Sequence, residues 1–524
     1  MIRRAAFSCL PFLFAIACSS SSDDGGGGGT TPPAKYTPKA LPALSSAVST
    51  TESTLSPTGP RQKYTDGPNP AGKTEDLQSY LDRGFGELAP AGGSAYVTKA
   101  IDGSTPPPAG ANAKRILRFV HLSDFQIADD ESPTRVGQLD SAGFTSSALR
   151  PQDAYLCRMA NASVRTINAV HRKEPLAFTL MGGDNSDSAQ TNEVDWVLGI
   201  LSGSPNVECD SGDDTDIVGG ADNDGKDPFV AEGLAMPWKW VTGNHDVLVQ
   251  GNVAVNEFNM SVAISDSSSN GTRDYRAPLN GGISTDIIVP DPRRALLDRP
   301  ALMAKVGADK DGHGIGANEK ANGRATYTFD AGDQFRVLVL DTAHEKGGAE
   351  GVIRKAEVDA TIKPALDKAK ADGKYVILAS HHATASLTPE GGALGVMEPD
   401  AMLPAAWADF IGGYPNVVFS MVGHSHEHRA RAVKPTGTGH AWWEVMTAAI
   451  ADFPHQFRVI EIFDQDNGWL MLRGTTMDFS VEGDPVAQEG RRRGTVDLTS
   501  GWLPEDGTGK ADERNVELWI KKTQ

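Results

Sequence analysis

Val241-Thr-Gly-Asn-His-Asp246 closes an apolar segment that begins at Trp238, and it decides how the rest of the chain is read. A strand that runs into a glycine turn carrying an amide, an imidazole and a carboxylate gains little packing from those three side chains. The pattern makes sense if the Asn244 oxygen faces a metal and the His245 imidazole faces a substrate. That reading demands side chains of matching chemistry at other strand ends.

The flanking sequence supplies them. Ile116 to Leu122 reads as a mostly apolar strand that stops at Ser123-Asp124-Phe125-Gln126. Leu156, Met159, Ala160, Val164, Ile167 and Val170 then recur at helical spacing. A second buried strand, Leu176 to Met181, ends at Gly182-Gly183-Asp184-Asn185-Ser186-Asp187, and Val194, Val197, Leu198 and Leu201 mark another helix. Strand, helix, strand, helix is the order of an α/β fold, in which ligands gather at the carboxyl ends of strands. Further along, Tyr375 to Ala379 leads to His381-His382, and Asn416 to Val422 leads to Gly423-His424-Ser425-His426. Trp442 to Met446 and the hairpin from Arg458 through Asn467-Gly468 to Leu472 read as antiparallel. One Gly-Asp or His-His pair is commonly a turn. Five strand ends carrying such residues point to a shared site.

Those motifs, Asp124-Phe125-Gln126, Gly183-Asp184-Asn185-Ser186-Asp187, Gly243-Asn244-His245-Asp246, His381 and Gly423-His424-Ser425-His426, resemble the calcineurin-like metallophosphoesterase superfamily over residues 115 to 475. They are most similar to a secreted bacterial subgroup with long insertions between motifs. Pro292-Arg293-Arg294, Gly312-His313-Gly314 and Trp443-Glu444-Val445-Met446-Thr447 share in that likeness. The resemblance implies an α/β fold, a four-layer αββα sandwich with the site at its strand ends. It implies that Asp184 bridges two metals, with Asp124 and His426 joining it at the first and Asn244, His381 and His424 at the second. His382 is an alternative to His381.

A carboxylate shared by two cations about 3.5–4 Å apart would let a bridging hydroxide attack a phosphoric mono- or diester. His245 would act as the catalytic group at the leaving oxygen. Oxygen and nitrogen ligands without thiolates suit zinc, iron or manganese. Asp187 and Asp246 are expected to support the ligands. Arg293, Arg294 and His313 are candidates for substrate contacts, against a bland reading as surface charge or loop packing. Gln126 departs from the family pattern, which has a histidine there; it could ligate, orient a water, or leave the first site weak. The rival function is a metal- or phosphate-binding surface lipoprotein with a vestigial site.

Composition bounds the rest. A hydrophobic share of 39% and a charged share of 22% are those of a globular protein, and a net charge of −19 excludes a nucleic-acid backbone binder. Residues 1–18 read as a lipoprotein signal ending Ala15-Ile16-Ala17-Cys18, with Cys18 lipidated and the protein anchored outside the cytoplasm at the outer membrane. Residues 19–66 read as a Ser/Gly/Pro tether, 67–112 as an N-terminal extension, 113–480 as the phosphoesterase domain and 481–524 as a C-terminal extension. Residues 203–235 read as a solvated acidic loop, and the polar stretch from 247 to 325 as a lid or substrate wall. Cys157 and Cys209 are candidates for a disulfide. The expected substrate is a phosphorylated small molecule or lipid headgroup.

Overall fold

Alternating apolar residues in the strands build two sheets that share one core. The structure, a computed structural model, describes residues 37–62, 77–137, 145–212, 226–272, 282–503 and 506–523. The strands of the two large sheets are β1 Val97–Ala100, β2 Lys114–Leu122, β3 Thr179–Met181, β4 Trp238–Lys239, β5 Tyr327–Ala331, β6 Phe335–Leu340, β7 Tyr375–Ser380, β8 Val417–Val422, β9 Arg429–Val433, β10 Trp442–Met446, β11 Gln456–Asp464, β12 Trp469–Asp478 and β13 Val516–Lys521. A seven-stranded sheet runs β1-β13-β12-β11-β2-β3-β4, and a six-stranded sheet runs β5-β6-β7-β8-β10-β9. β2, β3 and β4 are mutually parallel, as are β6, β7, β8 and β10.

The side-chain alternation of β6 and β7 shows the layering. Val337, Val339, Ile377 and Ala379 join Phe119 and Ile460 in the core between the sheets. Leu338, Leu340, Val376 and Leu378 face the other way, onto Leu366, Trp407 and Ile411 of helices Lys363–Ala371 and Pro404–Gly412. Helix α1 (Leu156–Lys173) packs on Thr191–Ser202 and Pro485–Thr499, and its apolar face joins the core of the seven-stranded sheet. The result is helix, sheet, sheet, helix. Because β2, β3 and β4 belong to one sheet and β7 and β8 to the other, their carboxyl ends meet across the sandwich.

Several expectations change. β10 is parallel to β8 and antiparallel only to β9, while the β11–β12 hairpin is antiparallel as read. The expected signal lies outside the described residues, as do parts of the tether and of the acidic loop. From residue 37 the chain expected as a tether is structured: Leu44 is buried, the Thr50 hydroxyl donates to the Thr476 carbonyl, and Ser53–Pro57 pairs with Leu88–Gly92. The C-terminal extension supplies β13, an internal strand between β12 and β1. Sheet pairing with distant partners supplies the order that local composition lacks. In the acidic insertion Cys209 is buried and bonded to Cys157 of α1, and Lys226 pairs with Asp130, Glu131 and Asp210. The ends of that loop are therefore anchored rather than solvated.

Candidate metal centre

Three of the strand ends turn sharply where they present their side chains. Asp124, Gln126, Asp184, His424 and His426 all have positive φ, between 42° and 76°, a conformation that costs non-glycine residues energy. Five such residues at one place mark a functional constellation held against local strain. Glycines make room for them. A Cβ on Gly243 would lie 2.1 Å from Asp184 Oδ1, and one on Gly183 would lie 2.6 Å from His381 Nδ1.

Asp184 sits at the centre. Its Oδ1 accepts the His245 backbone N–H at 2.8 Å, and its Oδ2 lies 3.3 Å from Gln126 Nε2 and 3.0 Å from His381 Nε2. Asp124 Oδ1 lies 3.9 Å from the same His381 nitrogen and 3.3 Å from His426 Nε2. Ligand atoms of Asp124, Asp184 and His381 fall within 4.8 Å of one another, and so do those of His381, His382 and His424.

Whether these residues suit metal ions can be tested on the atoms they leave unused. Buried polar atoms normally find partners. Asp124 Oδ1, Gln126 Oε1, Asn244 Oδ1 and His381 Nε2 are all buried without a hydrogen bond. Their opposite ends are tied back. Asn244 Nδ2 donates to the Gly251 carbonyl at 3.0 Å, and His381 Nδ1–H donates to the Gly182 carbonyl at 2.8 Å. That second bond leaves the Nε2 lone pair as the free donor, the tautomer a metal ligand needs. Oxygen and nitrogen donors aimed inward, with their other atoms anchored, fit cations.

The electrostatics agree. Asp124 and Asp184 are fully buried; burial alone would raise their pKa values, yet the neighbouring histidines hold both below the usual carboxylate range. Burial opposes charge on His381 and His426 too, but the carboxylates raise them to about 9 and about 10. His424, half-buried beside His381, is instead lowered to about 3 by desolvation and by that neighbour. The pocket thus demands positive charge, which protons on two imidazoles meet when no cation is bound.

His382 has both nitrogens engaged, Nδ1 with the Thr342 hydroxyl at 2.8 Å and Nε2 with the Ala349 carbonyl at 2.9 Å. Those two bonds tie its ring to the fold beside His381 and His424. Asp246 accepts from the backbone N–H groups of Gly243, Asn185 and Ser186 at 2.8, 2.9 and 3.0 Å, clamping the β3 and β4 loops together. Asp187 stands behind His245: its carbonyl accepts from Nδ1 at 2.8 Å, and its Oδ1 is 3.2 Å from the same atom. The buried Arg135 holds Asp187 in turn, at 3.0 Å. His245 Nε2 is left facing Asp184 Oδ2 at 4.0 Å. Burial works against its protonation, but Asp184 and Asp187 outweigh it and raise the His245 pKa.

The candidate substrate contacts fall elsewhere. Arg294 is fully buried, bonding Asp129 at 3.1 Å, Ser211 and the Val289 carbonyl, so it knits the insertions together. Arg293 pairs with Asp291 and the Gly212 carbonyl. His313 stacks on Trp238, ring centroids 3.2 Å apart, and bonds Asp309. None of these bonds is to a residue of the cluster.

One residue of the site escapes a sequence reading. Asp452 Oδ2 accepts from His426 Nδ1 at 2.6 Å, while Oδ1 accepts from Arg150 Nε at 2.7 Å. A carboxylate behind a ligand histidine fixes its tautomer and raises its basicity. Asp452 follows β10 as Asp124 follows β2, and the parallel bridge of Ser123 to Ala449 brings the two turns together. The position of Asp452 after a strand is the only sequence signal for it.

No protein-family model and no curated protein matches the chain. It is similar to solved structures at low identity. A dimetal phosphatase from Danio rerio is 12% identical at a TM-score of 0.39, over 70% of this chain and 100% of that one. A sulfate thiohydrolase from Thermus thermophilus is 13% identical at 0.30, over 74% and 60%. A purple acid phosphatase from yellow lupin (Lupinus luteus) is 12% identical at 0.28, over 74% and 55%. Likenesses of this size leave the chemistry to the residues themselves.

Proposed function

We propose that the chain is a two-metal hydrolase of phosphoric esters of the calcineurin-like metallophosphoesterase kind. The observation that carries this reading is the cluster of Asp124, Asp184 and His381 ligand atoms, with Asp124 Oδ1, Gln126 Oε1, Asn244 Oδ1 and His381 Nε2 all buried and without a hydrogen bond, beside the Nε2 of His245 that faces Asp184. Asp184 would bridge two ions; Asp124, Gln126 and His426 would complete one site, and Asn244, His381 and His424 the other. Zinc, iron or manganese bound there would supply a nucleophile at neutral pH and draw charge from the phosphoryl oxygens.

The protein's own groups do the rest. Asp187 accepts the Nδ1 proton of His245, and the carboxylates of Asp184 and Asp187 favour a second proton at Nε2. That proton can pass to the departing alkoxide, which is general-acid catalysis. Asp452 holds His426 in ligand orientation, and Asp246 holds the two loops in register.

We place the protein outside the cytoplasm, lipid-anchored through Cys18 at the outer membrane. The Cys157–Cys209 disulfide supports this, because such bonds persist in oxidising compartments. The substrate is a phosphorylated small molecule or lipid headgroup. The test is turnover of a chromogenic phosphomonoester and a chromogenic phosphodiester by the full chain, with zinc, iron and manganese supplied in turn. Metal-dependent hydrolysis of either ester is expected. Tight metal binding without turnover of either would favour a binding lipoprotein with a vestigial site.

A further inference from the structure

Two apolar segments flank the metal centre and touch each other. On one side, Gly251 abuts the catalytic loop: a Cβ there would lie 2.2 Å from His245 Cδ2 and 2.4 Å from Asn244 Nδ2. The chain leaves Gly251 through Asn252 and Val253 into helix Glu257–Ala263, which buries Asn259 and Ala263 and turns Phe258 and Met260 to solvent. On the other side, Glu350 Oε2 lies 3.9 Å from His424 Nε2, and the Glu350 N–H donates to the Gly391 carbonyl at 2.7 Å. Gly391 opens the loop that carries Leu394, Val396 and Met397. The two sides join where Gly348 N–H donates to the Asn252 carbonyl at 2.8 Å, and a Cβ on Gly347 would lie 2.7 Å from the Leu394 carbonyl.

Eleven large apolar side chains are exposed among the described residues, and seven lie on these two segments, Phe258 at 77%, Leu394 at 72% and Met397 at 60% foremost. Scattered apolar residues on a surface are ordinary, but a concentration on two joined segments that lead out from a site points to binding. Leu394 has a φ of 68°, so its backbone carries strain that a glycine would avoid, while its side chain stands in water. Both costs are borne at one position beside the site. Methionines at 260 and 397 add flexible, polarizable contacts suited to a chain of variable shape.

We propose that these two segments take the apolar portion of an amphiphilic phosphoester, whose phosphate enters the metal centre. The inference rests on the hydrolase reading and narrows its substrate class. A phosphate ester with a hydrocarbon chain satisfies both surfaces at once, whereas a protein docked on the segments would cover the mouth of the site.

The test uses n-alkylphosphonates from methyl to octyl, measured by calorimetry on the full chain loaded with manganese. The same series serves as inhibitors of whichever chromogenic ester turns over. Burial of each methylene predicts a Kd about two- to fourfold lower per added carbon. The double variant F258S/M397S should weaken octylphosphonate about tenfold more than methylphosphonate. A flat series in the native protein overturns the inference, and so does a variant that weakens both ligands equally. A steep series with no ester hydrolysed keeps the apolar subsite and refutes the hydrolase reading; hydrolysis with a flat series refutes the subsite alone. Cosedimentation with phosphatidylcholine vesicles that contain phosphatidic acid would assign a membrane lipid as the source, and binding without cosedimentation a soluble amphiphile.

Discussion

Replacing Asp452 by Asn separates the ligands from what holds them. The native carboxylate accepts from Arg150 through both oxygens, Oδ1 from Nε at 2.7 Å and Oδ2 from Nη2 at 3.3 Å, and Oδ2 also accepts from His426 Nδ1 at 2.6 Å, so the His426 lone pair sits on Nε2, 3.3 Å from Asp124 Oδ1. An asparagine that keeps its oxygen on Arg150 turns its NH2 toward Nδ1. Two donors then face each other unless the imidazole moves its proton to Nε2, which removes the ligand lone pair. Loss of such an outer carboxylate typically weakens metal binding 10–100-fold, or about 1.4–2.7 kcal/mol. Folding is perturbed as well, because the Arg150 side chain is 1% exposed and loses its charged partner. Breaking a buried pair can cost about 3–5 kcal/mol. The assay is therefore a competitive chelator titration at low temperature, with near-UV circular dichroism to confirm the native fold. One of two metal equivalents should weaken 10–100-fold while the other holds. A folded variant with both affinities native would refute the orienting role of Asp452.

Other perturbations probe different parts of the account. His245→Ala should leave metal content near native while kcat falls about 10²–10⁴-fold; full activity with bound metal would remove His245 from the chemistry. Gly243→Ala forces a methyl to within 2.1 Å of Asp184 Oδ1, so metal content should drop in a chain that still folds, as read by elemental analysis beside circular dichroism. His455 tests stability against pH. It is buried with Nδ1 bonded to the Ile450 carbonyl at 2.8 Å, and burial lowers its pKa to about 4. A folded pKa below the unfolded one gives stability that is full above pH 6.5 and is lost as pH falls from 6.5 toward 4. The loss is about 1 kcal/mol per pH unit. The difference in unfolding free energy between the native chain and His455→Gln, from urea melts at pH 7, 6 and 5, should shrink with that slope.

The metal motifs were legible because each strand end packs its chemistry into two to five consecutive residues. Glycines around Asp184 and Asn244 announced tight turns, and polar residues at apolar strand ends had no packing role to explain them. Arg293-Arg294 misled for the opposite reason. A charge pair in a polar stretch looks solvated, and nothing local reveals that Asp129 and Ser211, far away in sequence, bury Arg294. His313 likewise gained its role from Trp238, 75 residues earlier. Asp452 and Arg135 act through another residue's ring or carboxylate, and neither lies in a recurrent motif. The terminal segments were underestimated because β13 and the Ser53–Pro57 strand take their order from pairing with distant strands. The sequence allows Gln126 three roles; the structure puts it inside the cluster, with Nε2 on Asp184 and Oε1 without a hydrogen bond.

The central claim is that Asp184 joins two metal ions in one centre. Metal content per folded chain, measured by elemental mass spectrometry on native protein and on Asp184→Ala after equilibration with manganese and desalting, tests it most directly. Two equivalents in the native chain and loss of both in the variant is the predicted result. A variant that folds and retains both would contradict it.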